Sequence, residues 1–201
     1  IFDVGCNIGI NTLSYNILFR NSKIFSFEPI PSTYKIFKKN IKVNNLKNVK
    51  AYNLGFSNKV KNTTLSIPTE SQGERYKYYV NHALYSIYGK GKNKIKVRLQ
   101  TLDKFSIKHN VKPIDFIKID VEGHELQVLE GAKKIIKAYK PIIQIEYNYI
   151  SKILTKTKLK DFTNFANKNK FKILLLGKGF KLIKPNLKKI NSYKFSDIIF
   201  Y

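Results

Sequence analysis

Methionine and tryptophan are absent from this chain of 201 residues, and cysteine occurs once, as Cys6. One thiol excludes an internal disulfide framework and a zinc-ribbon pattern, which fits a reducing, cytoplasmic setting. No apolar run reaches the roughly eighteen residues that a membrane span needs. No charged-then-apolar leader opens the chain either. Ile1 already stands inside an apolar strand, and with methionine missing this predicts an N-terminally truncated piece of a longer protein. Carboxylates are scarce: 13 Asp and Glu stand against 38 Lys and Arg, for a formal charge of +25. Such a balance suggests a polyanion partner. The lysines are spread along the chain, however, and read first as a solvated surface, inflated with Asn and Ile as in an AT-rich genome. Scarcity makes each acid in an apolar setting informative. Asp3, Glu28, Asp120 and Glu146 each fall at or near the end of an expected strand.

Hydrophobic residues make up 43% of the chain, enough for a globular core of one domain spanning 1–201. Strands are expected at 1–4, 23–27 and 49–54, alternating with helices that start at Asn11 or Thr12 and at Pro31. Strand, helix, strand, helix, strand with short links is the signature of a parallel sheet. Further strands are expected at 59–67, 95–99, 114–119, 141–145, 171–176 and 192–200. Helices are expected at 101–108, 125–138 and 159–169. Residues 68–93 have no clear period and crowd Tyr76, Tyr78, Tyr79, Tyr85 and Tyr88. A loop of that length suggests an insertion on the acceptor side of a site.

The first turn reads Asp3-Val4-Gly5-Cys6-Asn7-Ile8-Gly9. Its glycines permit a sharp turn and close approach of a ligand. Their Gly-x-x-x-Gly spacing differs from the Gly-x-Gly-x-x-Gly of dinucleotide binders. Asp3 would repel a pyrophosphate but favour S-adenosylmethionine, whose sulphur and amino group are cationic. Glu28 stands where an acid can accept hydrogen bonds from ribose hydroxyls; its other reading is a cap for the next helix.

Ile117-Lys118-Ile119-Asp120-Val121-Glu122-Gly123-His124-Glu125 is the most distinctive stretch. Ligands of open α/β sheets bind beyond strand carboxyl ends, where Asp120 and Glu122 fall. Methyl transfer needs alignment and, for a hydroxyl acceptor, a base. Asp120 and His124 are candidates for that base, His124 having a surface or capping role as its other reading. Glu122 is a site candidate, although it and Glu125 could equally serve the helix N-terminus. Asp120, Glu146 and Asn148 together offer oxygen ligands for a divalent cation.

Taken together, these pieces resemble the FkbM-type methyltransferase family. The resemblance rests on the first turn, on Phe27-Glu28-Pro29-Ile30-Pro31, Thr101-Leu102-Asp103, the stretch through Glu125, Val128-Leu129-Glu130-Gly131-Ala132 and the strand ending at Glu146. It implies a Rossmann-like class I methyltransferase fold, an α/β architecture with a mostly parallel seven-stranded sheet, helices on both faces and an antiparallel last strand. It implies S-adenosyl-L-methionine held by Asp3, Gly5, Asn7, Gly9 and Glu28, with Asp120 and Glu122 facing the reaction. The expected acceptor is an oxygen of a sugar, glycan or small natural product. Two other readings stay open. One is an RNA methyltransferase, suggested by the charge and the tyrosines, although Asn/Asp-Pro-Pro-aromatic and Pro-Cys motifs are absent. The other is a non-catalytic domain that binds S-adenosylmethionine.

Overall fold

Short apolar runs alternating with amphipathic ones can bury their faces only as a sheet covered by helices. The computed structural model describes residues 1–66, 86–89, 91, 94–147, 155–177, 179, 181–185 and 195–201. In chain order the elements are β1 (Phe2–Val4), α1 (Ile10–Leu18), β2 (Ile24–Phe27), α2 (Pro31–Val43), β3 (Val49–Tyr52), β4 (Gly55–Phe56) and β5 (Lys61–Ser66). There follow β6 (Lys94–Gln100), α3 (Leu102–Lys108), β7 (Phe116–Ile119), α4 (Glu125–Glu130), α5 (Lys133–Tyr139) and β8 (Ile142–Glu146). The last elements are α6 (Leu159–Lys168), β9 (Ile173–Gly177), β10 (Leu182–Ile183) and β11 (Phe195–Phe200).

The main sheet has the order β10-β9-β11-β8-β7-β1-β2-β3. Strands β8, β7, β1, β2 and β3 run parallel, and β11 lies antiparallel between β8 and β9. The architecture is the expected Rossmann-like one, a mostly parallel sheet with an antiparallel strand, with one difference from the expected seven strands. The eighth is β10, where Leu182 and Ile183 pair antiparallel with Leu176 and Leu175 at the sheet's edge. A two-residue edge pairing carries almost no periodic signal and so has no mark in the sequence. A small second sheet, β4-β6-β5, stands beside the first. Its Leu65, Val97 and Leu99 pack with Ile30 of the β2–α2 link.

Aromatic rings fill the centre. Phe105 of α3 meets Phe27 and Tyr52 edge-on, at 4.8 and 4.9 Å between centroids, a favoured geometry for aromatic pairs. Two helix expectations change. Helix α1 starts after Gly9, whose φ of 93° makes it the N-cap in place of Asn11 or Thr12. The single helix expected at 125–138 is broken into α4 and α5. At the break, a Cβ on Gly131 would lie 2.1 Å from the Ser57 carbonyl oxygen. Asp103 then accepts from the amides of Lys134 and Ile135, at 3.0 Å each, and so caps α5. Tyr76, Tyr78, Tyr79, Tyr85 and Asn148 lie outside the described residues, and so does most of 68–93. Among the described residues no helix is long and apolar enough to cross a membrane.

Because Asp103 satisfies two otherwise orphaned amides, Asp103→Ala should lower stability by about 1–2 kcal/mol. A urea midpoint unchanged by this substitution would contradict the capping role.

Candidate active site

The strand order reverses beside β1, with β2 on one side and β7 on the other. Such a switch point leaves a crevice at the strand carboxyl ends. A cleft of about 250 Å³ lies there. One part of its lining is acidic, comprising Glu28, Asp120, Glu122 and Glu146, and the rest is largely apolar, including Ile30, Leu54, Phe56, Leu65, Ile87 and Leu99. In a chain with 38 Lys and Arg and only 13 acids, four carboxylates line this cleft and no lysine or arginine does among the described residues.

The first turn closes tightly over the strand ends. Gly5, Asn7 and Gly9 all have positive φ, at 83°, 51° and 93°. Gly5 and Asn7 line the cleft; Asp3 and Gly9 do not. A Cβ on Gly5 would come within 1.7 Å of the Asp120 carbonyl oxygen, and one on Gly9 within 2.4 Å of the Phe37 ring. Both glycines are thus required by protein packing. Asp3 is buried, and its Oδ2 lies 2.6 Å from Thr12 Oγ1, which is also 2.9 Å from Ser26 Oγ. Burial raises Asp3 to about 6, against the Thr12 hydrogen bond and the nearby Lys118 charge. Its contact is with helix α1, and its charge acts on Glu28 in the cleft lining.

Glu28 takes the capping place that was its second expected reading. Its Oε1 accepts from the amide of Ile30 at 2.8 Å, at the start of α2, and its Oε2 from the amide of Asn7 at 3.1 Å. Burial dominates over these hydrogen bonds and raises it to about 7. Each oxygen accepts one amide and retains a lone pair for a ligand.

Asp120 follows β7 and Glu146 ends β8. A hydrogen bond to Asp120, followed by burial, raises Glu146 to about 9, so Glu146 holds a proton at neutral pH. Between them stands Lys118, buried in β7. Its Nζ is 3.6 Å from Asp120 Oδ2, 4.0 Å from Glu146 Oε2 and 4.0 Å from Asp197 Oδ1. This ammonium occupies the ground that a cation held by Asp120 and Glu146 would need. The described residues contain no group of three or more His, Cys, Asp or Glu that could hold a metal ion. The divalent-cation expectation therefore gains no support, Asn148 lying outside the described residues. Lys118 itself was overlooked in the sequence, although a lysine inside Phe-Ile-Lys-Ile breaks the apolar run of a strand buried on both faces.

Glu122 lines the cleft from a strained turn, with φ of 53° followed by Gly123 at 97°. Ser86 Oγ donates to its carbonyl at 2.6 Å. Glu125 is the residue that serves the helix start, accepting from the amide of Gly123 at 2.9 Å. His124 lines the cleft, yet its Nε2 lies 2.9 Å from Ser57 Oγ and its Nδ1 3.3 Å from the Tyr88 hydroxyl. Burial, helped by Lys61, lowers it to about 4, so the ring is neutral at physiological pH.

Comparison with known proteins bears on the family and the fold. The methyltransferase FkbM domain family matches residues 3–188. Methyltransferase 1 of Beauveria bassiana (strain ARSEF 2860) is 28% identical over 143 residues, covering 65% of this chain and 57% of that protein. Methyltransferase sdnD of Sordaria araneosa is 29% identical over 157 residues, covering 65% and 59%. The chain thus spans less than two thirds of the length of these curated relatives. Among solved structures, methyltransferase FkbM from Methylobacillus flagellatus KT superposes with a TM-score of 0.63 at 16% identity, covering 100% of this chain and 42% of that one. A precorrin-6y C5,15-methyltransferase from Geobacter metallireducens GS-15 gives 0.50 at 11% identity, covering 100% and 78%. At such identities the superpositions speak for the fold.

The raised carboxyls bear on stability. A folded-state value above the unfolded one means that the folded chain keeps a proton which the unfolded chain has released. For Glu146 that window runs from its ordinary 4.5 to about 9, and stability should fall as pH rises through it. Urea midpoints should therefore decrease across this range, and Glu146→Gln should flatten the decrease. A midpoint rising through the same window would contradict the assignment.

Proposed function

This chain belongs to the FkbM methyltransferase family, and from that premise we propose that it methylates a hydroxyl of a sugar, glycan or small natural product with S-adenosylmethionine as donor. The observation that carries this reading is the acid-lined cleft without lysine or arginine in a strongly basic chain. A phosphorylated cosubstrate would meet repulsion there, whereas a sulphonium and an ammonium would meet attraction. When bound, S-adenosylmethionine supplies a methyl group made electrophilic by its cationic sulphur.

In this reading the residues divide the work by their surroundings. Gly5 and Asn7 supply backbone close to the donor, and Glu28 accepts from its ribose hydroxyls. Asp3 anchors α1 through Thr12 and adds negative potential from below; Gly9 sets the turn against Phe37. Asp120 accepts the hydroxyl proton as the acceptor oxygen gains its methyl group, a role that a positioned base makes worth roughly 10²–10⁴ in rate. Glu122 faces the same end of the cleft. His124, neutral and bonded through both nitrogens, holds the turn in place. An RNA acceptor would need phosphate contacts, and the described cleft lining offers no cation for them.

Calorimetry tests the donor site. S-adenosylmethionine should bind, and Glu28→Ala should weaken that binding. A cationic ligand favours ionised Glu28, so at about pH 6, below the value of about 7, binding should release protons into the buffer. Glu28→Gln should abolish that release. Asp120→Asn should retain donor binding while turnover falls by about 10²-fold or more. Methyl incorporation from labelled donor into RNA, with none into glycans or small hydroxylated compounds, would reject the proposed acceptor class.

A further inference from the structure

Lys118 is the only residue of β7 with a charged head, and the strand around it is apolar: Ile117 and Ile119 are fully buried. Burying a lone ammonium costs several kcal/mol unless opposite charges compensate it. Three separate strands surround it with carboxyl groups, Asp120 at the end of β7, the protonated Glu146 of β8 and Asp197 of β11, of which the first and last supply the opposite charge. Gln144 Nε2 fixes the third of these by donating to Asp197 Oδ1 at 3.0 Å. Asp3 of β1 also lies within the field of Lys118. From α1, Tyr15 faces Asp3, Asp197 and Asp120, and Glu122 adds its charge near Glu146. An ammonium carries three protons, and here it stands among three carboxyl groups.

We infer that Lys118 is a positioning residue that stands in for a divalent cation, fixing Asp120 at the cleft so that proton removal from the acceptor needs no metal there. This rests on the reading of Asp120 as the base. The separations of 3.6–4.0 Å from Nζ suit ion pairs around an ammonium. A hard cation at that point would need oxygens at about 2.0–2.6 Å. Removing the ammonium leaves an acidic set whose charge is uncompensated, and such a set takes up a metal ion or additional protons.

The experiment compares the unaltered chain, Lys118→Asn and Lys118→Arg, using Mn²⁺ as the probe and electron paramagnetic resonance as the readout. The unaltered chain and Lys118→Arg should show no Mn²⁺ bound at the acidic set. Lys118→Asn should bind Mn²⁺ with a dissociation constant of about 10⁻³ M or tighter, and Asp197→Asn added to it should remove that binding. Mn²⁺ binding at these carboxylates in the unaltered chain would overturn the inference, as would a Lys118→Asn chain without Mn²⁺ affinity. A second readout follows the Glu146 carboxyl carbon by NMR in Lys118→Gln. Its titration should move to higher pH, because the Lys118 charge that opposes protonation is gone; an unmoved titration assigns Lys118 a packing role only. S-adenosylmethionine calorimetry on the unaltered chain separates the two proposals. Lost donor binding sinks the enzymatic reading, whereas the Mn²⁺ result bears on Lys118 alone.

Discussion

Gly5 touches the carbonyl of Asp120 where the strand order reverses, and no residue with a Cβ could stand there. That contact draws the end of β1 against the end of β7. It places the first turn beside Asp120, and the backbone of Asn7 then reaches Glu28 on β2. Pairing of β7 with β8 brings Glu146 to the same rim. The cleft is therefore a product of sheet geometry, with Glu28, Asp120 and Glu146 delivered by the ends of three strands and Glu122 by the turn after β7.

Those acids stand close together in little water, and they manage the resulting repulsion in different ways. Asp3 accepts from Thr12, Glu28 from two backbone amides, and Glu146 keeps a proton that it shares with Asp120. Lys118 supplies the one buried positive charge among them. A cationic ligand arriving at the rim would complete this compensation, which is why acid placement matters more here than the chain's overall charge of +25.

Much of this could be read from the sequence because strand ends are marked by abrupt changes from apolar to acidic residues. Glu28, Asp120 and Glu146 stood out in that way, and the parallel order followed from the alternation of elements. Other features depended on long-range contacts without local marks. Gly9 caps α1 with a left-handed φ of 93°, and the Phe37 ring beside it leaves no room for a side chain. The break falls at Gly131, which packs against the carbonyl of Ser57, far away in sequence. Asp3 accepts from Thr12 of α1, a contact that its local sequence does not mark. His124 is bonded by Ser57 and Tyr88 and kept neutral by burial, neither of which its local sequence discloses. Lys118 alone left a usable mark, a cation inside an apolar strand.

The short strip 86–89 lies across the apolar part of the cleft. Ser86 bridges to Ser66 on β5 and bonds the carbonyl of Glu122, while Tyr88 reaches His124. Ile87, between these two fastenings, contributes its side chain to the cleft wall. Size at that one position can therefore vary while its neighbours keep the strip in place. A lineage could retune which molecule it accepts by exchanging Ile87 for a larger or smaller residue, leaving the machinery beneath untouched.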